Sequence, residues 1–353
     1  MDDFTIYGTD ASRVTRMSDG LWAQVGNVTL AADPDPSAGG SYVLEFFTSG
    51  TPIVRRVLSS AQTTVGVAAR YWLNSLPAAA NAAPQLVSVR DASNVIHGWV
   101  SVNPSGYLEY YRNDSAGAVL VGQSNSPVVV TNAWRHIESK IVLDTGTSGS
   151  VVVRLEGVQQ LSVTGIRTTR DTGAVASCSS VAIQNGIGTS ATGMYVKDLI
   201  CWDGSGSSNN NFVGSCQVYK ITPSSDASLN WTPSTGTTGY NLINGTTPDD
   251  DSGYISATSP APSPATFNMS DLPANVTSVK GVMAITRSRK TDGGDGQLQV
   301  SLVSGASTGD GSNRTITTAY TYWTDLWETD PQGGGVWTKA RVDALVLKLN
   351  RTV

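Results

Sequence analysis

Cleaving a sugar chain on a β-sheet takes two carboxyl groups on one face, roughly 5 to 9.5 Å apart. This sequence offers few such pairs. Glu109 and Glu138 each lack an acidic partner on their own strand, and Glu328 with Asp330 in LWETDPQ sits at a strand end before Pro331, where an acidic turn is ordinary. His136 and Glu138, alternate residues of WRHIESK, could serve as acid and base, or form a surface ladder across strands. The GSGSS run from Gly204 resembles a nucleophile elbow only in composition, because no strand-to-helix turn and no base accompany it. Asp249, Asp250 and Asp251 supply hard oxygens suited to calcium, but the EF-hand spacing is absent and they read as a solvated acidic loop. Cys178, Cys201 and Cys216 have no CxxC spacing, and the chain holds only 2 histidines, His97 and His136, too few to complete a thiolate zinc site. The cysteines therefore read as free thiols, with a Cys201–Cys216 bridge left open. No catalytic, cofactor-binding or metal-binding residue is assigned. For a ligand, the candidates are aromatic side chains able to stack on a sugar ring: Trp99, Tyr107, Tyr110 and Tyr111.

The elements that must carry these residues alternate with period two. In 132–163, Ile137, Ser139, Ile141 and Leu143 share one face and His136, Glu138 and Lys140 the other. After the DTGTSG turn, Val151, Val153 and Leu155 oppose Val152, Arg154 and Glu156, and Glu156-Gly157 makes a tight reversal into Val158. This predicts a core face of Ile137, Ile141, Leu143, Val151, Val153 and Leu155, with Glu138, Lys140, Arg154 and Glu156 toward solvent or a neighbouring subunit. Similar runs at 42–47, 63–73, 85–91, 95–102, 106–112, 179–184 and 193–202 predict a sandwich of antiparallel sheets. A second set lies at 276–289, 296–305, 314–329 and 344–352. Only 337–345 has helical spacing, with Ala340, Ala344 and Leu345 on one side, which predicts a single short helix.

Composition sets the frame for these elements. Charged residues make up 14% of the 353 residues, against a globular norm of about 25%. Ser, Thr, Gly and Asn fill the difference and favour strands and turns. The Gly/Ser/Asn-rich stretch DGSGSSNNNFVG (203–214) marks a composition break. It predicts a first domain over 1–203, a linker over 204–214 and a second domain over 215–353. A net charge of −5 and the lack of a clustered basic surface argue against nucleic acid. Arg287, Arg289 and Lys290 read as a solvated strand end. The acidic opening MDDFTIYGTD has no basic or apolar signal region, and no run approaches the roughly 18 apolar residues of a membrane span. The expectation is a protein made and folded in a cytoplasm, with no membrane insertion.

The segment WRHIESKIVLDTGTSGSVVVRLEGVQQLSVTG, followed by GMYVKDLICWDGSGSSNNNFVGSCQVYKITPSSD, resembles tailed-bacteriophage virion proteins with an N-terminal concanavalin A-like, laminin G-like jelly roll. The later TPDDDSGYI, SDLPANVTSVKGVMAITRSRK and YWTDLWETDPQGGGVWTKARVDAL fit the second half of that architecture. One departure is visible: YVKDLICW carries the single acid Asp198 where the family tends to have a pair. The resemblance implies an all-β chain of two antiparallel β-sandwich domains, a jelly roll and a smaller C-terminal sandwich. It implies a structural component of a virion, at the tail (fibre, baseplate or tip), with a host-surface adhesion role. Capsid decoration and a non-catalytic carbohydrate-binding module are the alternatives. The expected partners are other virion proteins, copies of the same chain and a host-surface glycan. No enzyme activity and no cofactor are expected.

Overall fold

A computed structural model describes residues 13–19, 21–35, 42–79, 83–186, 192–245, 247–258 and 263–353. The chain is an all-β, antiparallel protein, as its alternation predicts, and divides into two units. The first comprises Trp22–Val218 with the helix Arg13–Ser18, and the second comprises Tyr219–Val353 with Asp19 and Leu21.

The first unit holds strands β1 (Gln24–Gly26), β2 (Val28–Ala32), β3 (Tyr42–Phe46), β4 (Ile53–Gln62), β5 (Thr64–Leu73), β6 (Gln85–Arg90) and β7 (Ile96–Val102). After these come β8 (Leu108–Asp114), β9 (Gly117–Gln123), β10 (Arg135–Val142), β11 (Gly149–Leu155), β12 (Val158–Ile166), β13 (Cys178–Gln184) and β14 (Met194–Asp203). They form two seven-stranded sheets. Sheet I runs β1-β4-β13-β6-β7-β8-β9 and sheet II runs β12-β11-β10-β5-β14-β3-β2. Branched and aromatic side chains from both close the core, among them Val54, Val89, Val100 and Tyr110 of sheet I, and Leu44, Val67, Ile141 and Val151 of sheet II.

The hairpin read from 132–163 has the predicted register. Ile137 pairs with Leu155, Ser139 with Val153 and Ile141 with Val151, and Ile137, Ile141, Leu143, Val151 and Val153 are buried, with Leu155 half-buried. Glu156 and Gly157 sit at φ +48° and +81°, the positive values that a two-residue type I′ reversal demands at both central positions.

The second unit holds β15 (Pro223–Ser228), β16 (Thr232–Pro233), β17 (Ile255–Ser256), β18 (Ala265–Met269), β19 (Val282–Ser288), β20 (Gln297–Ser304), β21 (Ser307–Thr315), β22 (Thr321–Trp327) and β23 (Val346–Arg351). Its main sheet runs β15-β18-β23-β20-β21, accompanied by the β16–β17 and β19–β22 ribbons. Phe267, Val300, Leu302 and Leu347 of the sheet make a core with Trp337, Val342 and Leu345, against which Val282, Ala284 and Trp327 of the β19–β22 ribbon pack.

The structure corrects several expectations. The run at 276–289 becomes strand only at Val282, and the run at 314–329 is broken between β21 and β22. Three short α-helices occur among the described residues where one was predicted: Arg13–Ser18, Tyr240–Ile243 and Lys339–Asp343. The last is a single turn, capped by the Thr338 hydroxyl accepting from the Arg341 N–H at 3.3 Å. Val342, Trp337 and Leu345 are its buried anchors, while Ala340 and Ala344 are exposed. A helix this short has no continuous apolar stripe, so residues outside it do the anchoring. The stretch 204–214 is not a free linker, and the first unit runs on to Val218. No described helix is long and apolar enough to cross a membrane.

Candidate functional site

The outer face of sheet II carries His136, Glu138 and Lys140 on β10, beside Gly66, Ala68 and Arg70 on β5 and Ile200 and Trp202 on β14. Taken alone, this face would present Glu138 to water. The chain after β14 turns back over it instead. Val213, buried itself, joins Ala68, Ile200 and Trp202 in an apolar patch, against which Phe212, Cys216 and Val218 pack. Gly66 makes room for this arrangement, since a Cβ there would lie 1.9 Å from the Trp202 ring.

Polar groups fix the covering segment in place. The Glu138 carboxylate accepts the backbone N–H of Val213 at 2.6 Å and of Gly214 at 3.3 Å. Asp198 accepts the Val218 N–H at 2.8 Å and faces Arg70 at 3.3 Å. It adopts φ +55° within the irregularity between Lys197 and Ile200, a conformation that Asp tolerates better than most residues. Arg154 stacks over the Phe212 ring at 3.8 Å, and Lys140 donates to the Asn211 side chain at 3.2 Å. The segment 211–218 is thus a strap across sheet II.

Two expectations fail here. Glu138 and His136 are 0% exposed, whereas the alternation put Glu138 toward solvent and His136 on the same polar face. Lys140 and Arg154 are half-buried, and Glu156 alone is exposed. Burial raises the Glu138 carboxyl, opposed by the two backbone N–H groups. It also pushes the His136 imidazole down to about 4, with Arg70 adding to the effect and Glu156 opposing it. Neither ring nitrogen of His136 has a hydrogen-bond partner. A proton donor or base sealed in this way has no access to a substrate atom.

Several other carboxylates are also held by structural partners, while Glu328 is exposed. Asp330 is buried and accepts the Gln332 N–H at 2.9 Å. The Asp249–Asp251 run and the basic strand end meet each other: Arg287 donates to Asp250 and Asp19, both at 2.8 Å, and Arg289 to Asp251 at 2.5 Å. The two motifs therefore neutralise one another, a pairing invisible in the local pattern of either. Cys178, Cys201 and Cys216 are free thiols. Cys201, paired in register with core-facing Val67, and Cys216, in the strap, lie on opposite faces of sheet II.

The aromatic candidates separate by face. Tyr110 is 0% exposed, donates to the Thr168 carbonyl at 3.4 Å and belongs to the core. Tyr107 is half-buried at the start of β8, its N–H donating to Asn103 at 3.0 Å. Trp99 and Tyr111 stand side by side on the outer face of sheet I, their rings stacked at 5.3 Å and 13°. The Tyr111 hydroxyl donates to Glu109 at 2.9 Å, and burial, with this carboxylate, pushes its pKa up to about 12. Glu109 also accepts from the Asn103 amide at 2.8 Å. Among the described residues this face presents the stacked aromatic pair.

No protein-family model and no curated protein matches this sequence. Among solved structures, an endo-β-1,4-glucuronan lyase from the fungus Trichoderma reesei is similar at TM-score 0.38 and 13% identity, over 52% of this chain and 92% of that one. A PL-14 alginate lyase from Aplysia kurodai gives TM-score 0.37 and 11% identity, over 50% and 86%. The receptor-binding domain of botulinum neurotoxin type G gives TM-score 0.34 and 11% identity, over 50% of this chain and 41% of that one. At these values the likenesses carry no argument about activity.

Proposed function

We propose that this chain is a structural component of a tailed-phage virion, carried at the tail and offering its first unit as a host-surface adhesion module. It acts without catalysis or cofactor, through surfaces buried against other virion proteins and copies of itself. The observation that carries the reading is the sealing of Glu138 beneath Val213 and Gly214, with His136 beside it on β10 equally buried. Glu138, the acid of that same-face pair, is used to pin the chain to its own sheet, which suits a rigid scaffold. The sequence resemblance, spanning from about residue 40 to the end, supplies the virion context, and repetition of a module on a symmetric particle lets weak contacts add through multivalency.

The test is antibody labelling of purified particles viewed by electron microscopy. Label at the tail is the expected result. Label confined to the capsid, or absence of the protein from purified particles, overturns the reading.

A further inference from the structure

The two rims of the first unit, where its sheets end, differ. At one rim β1 and β2 lie beside the helix Arg13–Ser18, whose Arg16 and Met17 are buried. At the other, β9 of sheet I and β12 of sheet II are the last strands. These two adjoin, since a Cβ on Gly122 would lie 2.4 Å from the Val163 side chain. An edge strand turns half of its backbone N–H and C=O groups away from its one neighbour. Among the described residues, the backbone of 117–123 makes hydrogen bonds with β8 alone.

β9 carries little of the protection that exposed edges usually have. Its sequence, GAVLVGQ, contains no charge and no proline, and that of β12, VQQLSVTGI, is equally free of both. The one irregularity of β9 falls opposite Tyr110 and Tyr111, so Gly117–Leu120 stays in even register with Asp114–Tyr111. Val119 and Leu120 are 39% and 46% exposed. The main sheet of the second unit has guarded edges instead. There β15 opens with Pro223, carries Asp226 and shifts register twice, and β21 carries Asp310 and Arg314.

The occupant that fits this rim is a second copy of the chain. A two-fold axis normal to sheet I sets β9 antiparallel to the β9 of the other copy, and a strand without charge meets no like charge when it faces itself. The nearest charges, Arg112 and Asp114 on β8, are paired with each other and with Arg167. Leu120, opposite Tyr111, extends the outer-face row of Trp99 and Tyr111. With the axis near Leu120 this apolar row runs on from one copy into the next. A strand of 7 residues is about 24 Å long, and two sheets with their side chains are about 20 Å deep. The rim therefore offers roughly 500 Å² per copy, at the lower bound of specific interfaces, which sets the expected dissociation constant in the micromolar range.

We propose that two copies join edge to edge through β9, continuing sheet I as one sheet across both. The proposal names the self-contact within the virion reading and rests on that reading for its biological setting. Sedimentation velocity of the purified full-length protein between about 1 and 500 μM is expected to show a monomer–dimer equilibrium. Amide hydrogen exchange over 117–123 is expected to slow as concentration rises through that range, because the outward N–H groups gain acceptors. Leu120→Lys puts two ammonium groups at the axis and is expected to raise the dissociation constant about tenfold or more. Val336→Lys, at an exposed position of the second unit, is expected to leave it unchanged. Where Leu120→Lys alters the thermal melt, the exchange measurement on the parent protein decides. A chain still monomeric at the top of the range, an assembly of odd order, or one without protection over 117–123 overturns the proposal. So does a folded Leu120→Lys variant that associates like the parent. The measurements need no particle, so a monomer in solution leaves the tail location standing, and label away from the tail leaves the edge pairing standing.

Discussion

His136 stays a neutral imidazole at ordinary pH because burial disfavours its charged form, Arg70 lies nearby and neither ring nitrogen has a partner. Its folded pKa of about 4 lies below the ordinary 6.5, so between these values the unfolded chain binds a proton that the folded chain refuses. Stability is therefore full above pH 6.5 and falls as pH drops toward 4, by up to about 3 kcal/mol. Glu138, whose carboxyl is raised, works in the opposite sense, taking up a proton more readily when folded. Urea unfolding of His136→Gln across this range is expected to show a smaller acid loss than the parent. A second residue-scale prediction concerns Ile141, 1% exposed in the core. Ile141→Ala is expected to cost about 2 to 5 kcal/mol, and Lys140→Ala under about 0.5 kcal/mol. The reverse order in a denaturant titration would mean that β10 is shifted by one residue.

At the scale of elements, the strap is the feature with consequences. Its entry, Gly204 to Ser207, is exposed, whereas Val213 is buried and Phe212 is stacked beneath Arg154. Limited proteolysis of the parent protein is expected to cut within 204–207 and to spare 211–218. Glu138→Ala removes the acceptor of two backbone N–H groups and leaves them without it, a loss of about 1 to 3 kcal/mol. Cleavage in that variant is expected to spread into 211–218, read by mass spectrometry of the fragments. An unchanged pattern would mean that the apolar patch of Val213, Ile200 and Trp202 holds the strap without help from Glu138.

For the whole molecule, the division into two units makes a calorimetric prediction. Arg287 is enclosed by partners of its own unit, Asp19, Asp250, Tyr320 and Tyr322. Arg287→Ala strands two carboxylates that it neutralised, at a cost of about 1 to 3 kcal/mol. Scanning calorimetry is expected to show that variant lowering one transition and Ile141→Ala lowering another, with additive effects in the double variant. A single transition lowered by both variants would show the units to unfold together. The involvement of Asp19 also places a residue far from 219–353 in the stability of the second unit.

Much of the architecture was legible because alternation is a local property. Strict period two over Ile137–Leu143 and Val151–Leu155, with a Glu-Gly reversal after it, leaves one register that buries the branched side chains, and the structure has it. Alternation shows which residues share a face. It cannot show what lies against the second face. Gly, Ser and Asn between 204 and 211 read as linker because local composition describes solvation of the chain, whereas the docking of Val213 on Glu138 joins residues 75 positions apart. The same limit hid the meeting of Asp250 with Arg287 and the opposite faces of Cys201 and Cys216. Strand identity and hairpin register were thus determined by the sequence through short-range sterics and hydrophobic spacing. Which polar groups are buried, and against what, was decided by strand order and by the return of the chain across sheet II, because burial is a property of non-neighbours.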